Sequence, residues 1–225
     1  MNIDWSYALR QLPVILSYAG ITLKIAVLAM MLTLALALAV TIIRYYKVPL
    51  LTPLVNVYID IFRGTPLLTQ LFFIYYGFAQ VSPFFREMKA INAAILGLAL
   101  NAAAYTTENM RSALEAVAKG QTEAGLACGM TQLQTMWYIV LPQAARIAVP
   151  VLTNDFIALL KNTSMAFTLG VREIMGQVSL IGNGSFKFFE AYLDAFIIYF
   201  CLSKIIGILQ KYLERRLKVV GGSAQ

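Results

Sequence analysis

The chain contains no histidine, only two cysteines, and charged residues at just 13% of its 225 positions. Each shortage excludes something. With no histidine, no metal-type cluster and no nucleophile–base pair in view, the sequence argues against an intramembrane enzyme. Cys128 and Cys201 lie far apart, one in a polar loop and one in an apolar run, so they give no disulfide framework and no metal pair. A soluble domain carries about a quarter charged residues. The deficit here, with 60% hydrophobic residues, places the chain in the membrane class. No Gly-x-x-x-x-Gly-Lys-Ser/Thr phosphate loop occurs, nor any strong internal repeat or low-complexity linker. The expectation is one all-α membrane domain over residues 1–225, with no cofactor and no metal.

What is present is a series of apolar runs. Ile25 to Ile43 is nineteen residues without a charge, close to the roughly 20 a helix needs to cross hydrocarbon. Five spans are expected, at about residues 12–43, 54–81, 90–116, 145–169 and 191–212, inside a core of about 12–215. The first run is too long for a signal h-region and reads as a retained span, with Lys24 snorkelling near an interface. The second should break at Gly64-Thr65-Pro66, with Asp60 and Arg63 pairing one turn apart. Gly170 to Glu190, with Gly176, Gly182 and Gly184, reads as a loop.

The net charge of +7 follows the ends of these runs rather than one soluble face. It therefore reports membrane topology and not nucleic-acid binding. One set of flanks holds nine cations (Arg44, Lys47, Arg111, Lys119, Arg146, Lys211, Arg215, Arg216 and Lys218), and the other holds five (Arg10, Arg86, Lys89, Arg172 and Lys187). The richer side should be cytoplasmic. The N-terminus then lies outside and the C-terminus inside a bacterial-type inner or plasma membrane. The tail cations Arg215, Arg216 and Lys218 read as an inner anchor touching anionic membrane lipid.

The stretch from 119 to 143 interrupts the spans and faces the cytoplasm in this topology. Glu123, Thr131, Gln132, Gln134 and Thr135 have no use inside a lipid-facing span. Thr122 can cap a short helix whose first turn carries Glu123. Ala124, Gly125, Ala127 and Gly129 give that helix a face almost without side chains, able to sink into a groove on another protein. Gly129 lets the chain turn, and Pro142 should stop the following segment.

This stretch resembles the EAA-type signature of type I ABC importer permeases: Glu-Ala-Ala, three residues, Gly, nine residues, Ile, one residue, Leu-Pro. Glu123, Ala124, Gly129, Ile139, Leu141 and Pro142 match in register, and Gly125 stands where alanine is usual. Phe62-Arg63-Gly64-Thr65-Pro66-Leu67-Leu68, Ala103-Ala104-Tyr105-Thr106-Thr107-Glu108 and Leu160-Lys161-Asn162-Thr163-Ser164 are similar to the polar amino acid branch. The resemblance implies a permease subunit that forms half of a pore with a second permease chain, identical or related. It further implies two cytoplasmic ATPase subunits seated on a coupling helix (Glu123, Ala124, Gly125, Ala127, Gly129), and an extracytoplasmic amino-acid-binding protein. Energy from ATP must then come from a partner, so this chain is not itself the enzyme. The competing reading is a stand-alone secondary transporter, which would need coupling-ion ligands and paired repeats.

Charges within spans are functional candidates by default. Asn101, Tyr105 and Glu108 share one helix face at i, i+4, i+7, and Asn154 and Lys161 share another. If the third helix ended near residue 118, Glu108 would lie about 15 Å from its inner end and could meet Lys161 at mid-depth. Two readings stand. Glu108 receives an α-amino group while Lys161, with Thr163 or Ser164, receives an α-carboxylate; or Glu108 and Lys161 neutralise each other or line a dimer interface. Asp155 points away from Asn154 and is expected to pair with a neighbouring helix.

Overall fold

The computed structural model describes residues 3–219, with side chains described as far as Tyr212. The side chains of Arg215, Arg216 and Lys218 lie outside the described residues. The described residues are helical throughout their ordered elements. α1 (Trp5–Leu16) is followed after a short turn by α2 (Ala19–Tyr45). The apolar region therefore divides at Ser17-Tyr18 rather than running on from residue 12, and Lys24 lies in the second turn of α2.

α3 (Leu51–Gly64) and α4 (Leu67–Val81) form one interrupted element. The interruption falls where expected. Pro66 disfavours a helical conformation at its predecessor, and Thr65 is extended at φ −123°, ψ 150°. The freed carbonyls are satisfied from the side: Gln70 Nε2 donates to Phe62 O at 2.9 Å and to Thr65 O at 3.0 Å. Broken helices are tolerated at membrane depth only when such partners exist.

After a short helix α5 (Pro83–Arg86), α6 (Ala90–Glu115) forms the centre of the bundle. Its buried face is mostly alanine and glycine, which lets backbones approach closely. Ala93, Ala94, Leu98 and Ala99 meet Ile25, Ala26 and Ala29 of α2, Leu71 and Ile74 of α4, and Leu159 and Leu160 further along the chain. A Cβ on Gly97 would stand 2.6 Å from a Leu71 methyl, so α4 and α6 cross at the contact limit.

α7 (Lys119–Ala127) leads into α8 (Gln132–Leu169). Pro142 does not stop the chain. Its missing N–H and its ring are accommodated by a π-helical widening at Met136–Val140, and the helix continues. α9 (Ile174–Ser185) occupies what the glycines marked as a loop. Glu173 caps it by accepting from Gly176 N–H at 2.8 Å. Ile174 and Val178, four apart, pack on Ile15, Ala191 and Ala195. α10 (Phe188–Val219) closes the bundle against α1, α8 and α9. Among the described residues four helices are long and apolar enough to cross a membrane: α2, α6, α8 and α10 through Tyr212. α4 is a shorter apolar helix.

The start of α1 is tied to the start of α10. Lys187 Nζ lies 2.5 Å from Asp4 Oδ2, and Glu190 accepts from the Asp4 N–H at 2.9 Å. The Lys187 ammonium, then Ser6 and the Tyr7 N–H, hold the Asp4 carboxyl well below the usual carboxylate range. A depressed pKa contributes stability that is present above the unfolded value and is lost as pH falls through the folded one. The protection factors of the α1 amides, with intrinsic exchange divided out, are therefore expected to hold from neutrality down to the ordinary aspartate range and to fall progressively below it. Asp4→Asn should lower them already at neutral pH.

Candidate functional site

Two regions carry the sequence candidates. The first is α7 and its seat. The helix begins at Lys119 with Ala118 as N-cap and no side-chain cap. Thr122 is thus an interior residue, and Glu123 stands in the second turn, because the helix starts one turn earlier than a Thr122 cap requires. Glu123, Ala124 and Ala127 are exposed, Thr122 is half-buried, and Gly125 is buried. Gly125 rests on α8: a Cβ there would stand 2.9 Å from Thr135 Cγ2, Thr135 Oγ1 and Ile139 Cδ1. The departure from alanine is thereby explained by a β-branched neighbour that fills the space. Gly129 turns the chain at φ +84°, as expected. Thr131 and Gln134 form a reciprocal capping box for the next turn. Gln143 Nε2 donates to Gln121 Oε1 at 3.2 Å and further fastens α7 to α8. The exposed face of α7 around Glu123 therefore carries one carboxylate, the small Gly120, Ala124 and Ala127, and the apolar Leu126, on a braced helix.

The second region is the membrane interior. The structure separates Glu108 from Lys161. α6 ends at Glu115, so Glu108 lies about 11 Å from its end at 1.5 Å per residue, nearer that end than expected. There it pairs with Arg44 at the end of α2 and with Arg111 Nη2 at 3.0 Å, and Arg63 Nη1 stands 4.0 Å away. Arg63 lies over the Tyr105 ring, 5.6 Å from its centroid, and makes no clamp with Asp60, which has no ion pair among the described residues. Arg44 was missed as a partner because nothing in sequence spacing joins the ends of α2 and α6. Glu108→Gln should leave Arg44 and Arg111 facing each other without their anion. Hydrogen bonds to charged groups contribute about 1.5–3 kcal/mol, so a clear fall in Tm of the detergent-solubilised permease is expected, with no change for Asp60→Asn.

Lys161 and Ser164 line a cavity of about 520 Å³ against Tyr192, Phe196 and Tyr199 of α10. Thr163 is buried, its hydroxyl donating to Leu160 O at 2.7 Å. Asn154 is exposed on α8 and lines neither that cavity nor the one beside Asn101. Asn101 is held in place by donating to Phe62 O at 3.2 Å and to Gln70 Oε1 at 3.0 Å. It lines a cavity of about 380 Å³ between the α3–α4 break, α6 and α8, together with Tyr105, Asp155 and Asn162.

Asp155 is the residue whose place in this cavity the sequence did not reveal. As expected it engages a neighbouring helix: Thr106 Oγ1 donates to it at 3.0 Å and Asn109 Nδ2 at 2.9 and 3.0 Å. Both donors are neutral, and Asp155 has no cationic partner among the described residues. The cavity thus offers a carboxylate, a phenol and two amides, groups that suit a small polar molecule bearing an ammonium.

Known proteins are similar to this chain in sequence and in fold. The probable amino-acid ABC transporter permease protein PatM of Vibrio harveyi is 43% identical over 96% of this chain and 97% of its own length. The probable amino-acid permease protein YxeN of Bacillus subtilis is 45% identical over 96% of both chains. A crystal structure of an amino acid ABC transporter with histidines superposes with a TM-score of 0.89 at 31% identity, covering 96% of this chain and 100% of its own. The MetNI methionine ABC transporter in an inward-facing conformation shares the fold, with a TM-score of 0.76 at 21% identity over 92% of this chain and 98% of its own. The architecture is that of type I ABC importer permeases. Residues 31–219 match the family described as binding-protein-dependent transport system inner membrane component; the chain belongs to that family of membrane permease subunits.

Proposed function

We propose that this chain forms half of the translocation pore of an ATP-driven importer of polar amino acids, with the hydrolysing ATPase as a separate subunit. In this reading a second permease chain, identical or related, completes the pore. Two ATPase subunits seat on α7 through Glu123, Ala124, Gly125, Ala127 and Gly129. An extracytoplasmic binding protein delivers the amino acid. The cation bias at the loops supports an N-terminus outside, with α7 and the C-terminus in the cytoplasm.

The observation that carries the reading is the shape of α7. Its outer face carries one carboxylate at Glu123 among small side chains and the apolar Leu126, while Gly125 is buried on α8, so a push on the outer face passes into a membrane-crossing helix rather than into a loose loop. For the substrate, the cavity at Asn101, Tyr105 and Asp155 is favoured, with Asp155 taking the α-ammonium. Glu108 is committed to three arginines, and this favours a supporting role for it. Lys161, Thr163, Ser164 and Asn154 belong to the neighbouring stretch of α8, where Lys161 and Ser164 are placed to meet the substrate on a second wall of the path.

The test is reconstitution of the permease with its ATPase subunit and binding protein, followed by uptake of a panel of amino acids. ATP-dependent uptake of one or a few polar amino acids is expected, and Glu123→Lys should leave ATP hydrolysis running without uptake. Transport that proceeds without any ATPase subunit would overturn the reading.

A further inference from the structure

A further cavity is distinct from the one at Asn101 and Asp155 and lies beside the α7 seat. It encloses about 600 Å³ where the ends of α2 and α6 meet the start of α7. Its wall carries Arg44, Lys47, Arg111 and Lys119, drawn from three separate parts of the fold, and one carboxylate, Glu115. Arg44 and Arg111 are engaged by Glu108, and Arg111 also by Glu115 at 2.6 Å. Four cations thus meet two carboxylates, and two positive charges are left over. They are those of Lys47 and Lys119, neither of which has a carboxylate partner among the described residues. Lys47 is presented from a tight turn at φ +49°, between α2 and α3.

Membrane topology alone does not account for this. A charge bias needs cations near helix ends, not cations that face a shared hollow. The hollow has an apolar side as well, from Leu114, Val117 and Val140. Excess positive charge beside apolar wall at the level where helices leave the bilayer is the chemistry of a phosphate monoester or diester with a hydrocarbon-bearing neighbour.

We propose that this cavity is a binding site for a phosphate-bearing anion, held by Lys47 and Lys119 with Arg111 beside them. The anion joins the end of α2 to the first turn of α7 and so braces the short helix beside its seat on α8. Phosphatidylglycerol headgroups and free inorganic phosphate offer the same group. The proposal does not depend on which amino acid is carried, nor on which face of the membrane the cavity occupies.

The experiment measures acylation of individual lysines in the full transporter reconstituted in phosphatidylcholine, with and without phosphatidylglycerol. Lys89, on the α5–α6 connection and away from the cavity, serves as the control lysine. Attraction of about 1 kcal/mol per lysine near an anionic surface corresponds to roughly fivefold. Labelling of Lys47 and Lys119 should therefore fall about fivefold with phosphatidylglycerol while that of Lys89 stays constant. The same protection produced by inorganic phosphate in phosphatidylcholine alone would assign the free anion instead. In a second readout, native mass spectrometry of the complex should show phosphatidylglycerol retained by the wild type and lost from the Lys47→Gln/Lys119→Gln double variant when the lipid is the source. If neither anion changes the labelling of Lys47 and Lys119 more than that of Lys89, or if both lysines are already protected in phosphatidylcholine without phosphate, the cavity is no anion site. The second result would place the ATPase subunit over them.

Discussion

Gly125→Val is expected to reduce ATP-driven uptake at least tenfold while the permease still inserts and assembles. The cause is contact, not conformation: Gly125 has ordinary helical geometry, but a Cβ there would lie 2.9 Å from both γ-atoms of Thr135. Thr135 is fully buried on α8 and is β-branched, so it cannot rotate out of the way as a longer side chain would. Overpacking of this kind costs about 1–3 kcal/mol, and it is relieved by lifting α7 from α8, which removes the brace that transmits force. Gly125→Ala should give a smaller loss, because alanine recovers about 1 kcal/mol of helix propensity. The decisive variant is the double one. Thr135→Ala deletes two of the three close atoms, leaving only Ile139 Cδ1 at the end of a flexible side chain, and removes a buried hydroxyl without a hydrogen-bond partner among the described residues, so it should be close to neutral alone and should restore Gly125→Ala to near wild-type coupling. The ratio of uptake to ATP hydrolysis measures the effect. A Gly125→Val variant with normal coupling would remove α7 seating from the account.

The second large effect is expected at Asp155. Asp155→Asn keeps the shape and leaves an oxygen to accept from Thr106, but removes the charge. Loss of a charge-assisted hydrogen bond to an ammonium costs about 1.5–3 kcal/mol, or roughly 10- to 150-fold in uptake at limiting substrate. Assembly and basal ATP hydrolysis should be retained. Asp155→Ala is less informative, because it also severs the link from α8 to Thr106 and Asn109 of α6. Uptake by Asp155→Asn that matches the wild type would make the residue a structural tie alone.

How far the sequence led can be followed residue by residue. The break at Gly64-Pro66, the exposed Glu123 and the turn at Gly129 were legible because proline, glycine and isolated charges impose local geometry whatever surrounds them. α9 was not, because Gly176, Gly182 and Gly184 conceal an apolar face completed only by α1 and α10. Gly176 is a packing requirement rather than a loop marker: a Cβ would stand 2.5 Å from Val171 O. The pairing of Glu108 with Arg44 across 64 residues of chain could not be read either, since it depends on where two helices end relative to each other. Letting α6 run to residue 118 instead of Glu115 was enough to move Glu108 toward Lys161. Asn101 was identified as a candidate from its helix face, yet its contacts with Phe62 O and Gln70 arise from a break in another helix. Local rules therefore gave the helix break, the turn and the polar interruption that holds α7, and the charge partners waited on tertiary packing.

The central claim is that α7 faces the cytoplasm and seats an ATPase subunit. Cys128, exposed at the C-terminal end of α7, provides a natural reporter once Cys201 is changed to serine. A membrane-impermeant maleimide should label Cys128 in inside-out vesicles and not in right-side-out vesicles, and addition of the ATPase subunit should suppress that labelling. Labelling from the outer face, or labelling at the inner face that the ATPase subunit leaves unchanged, would contradict the account.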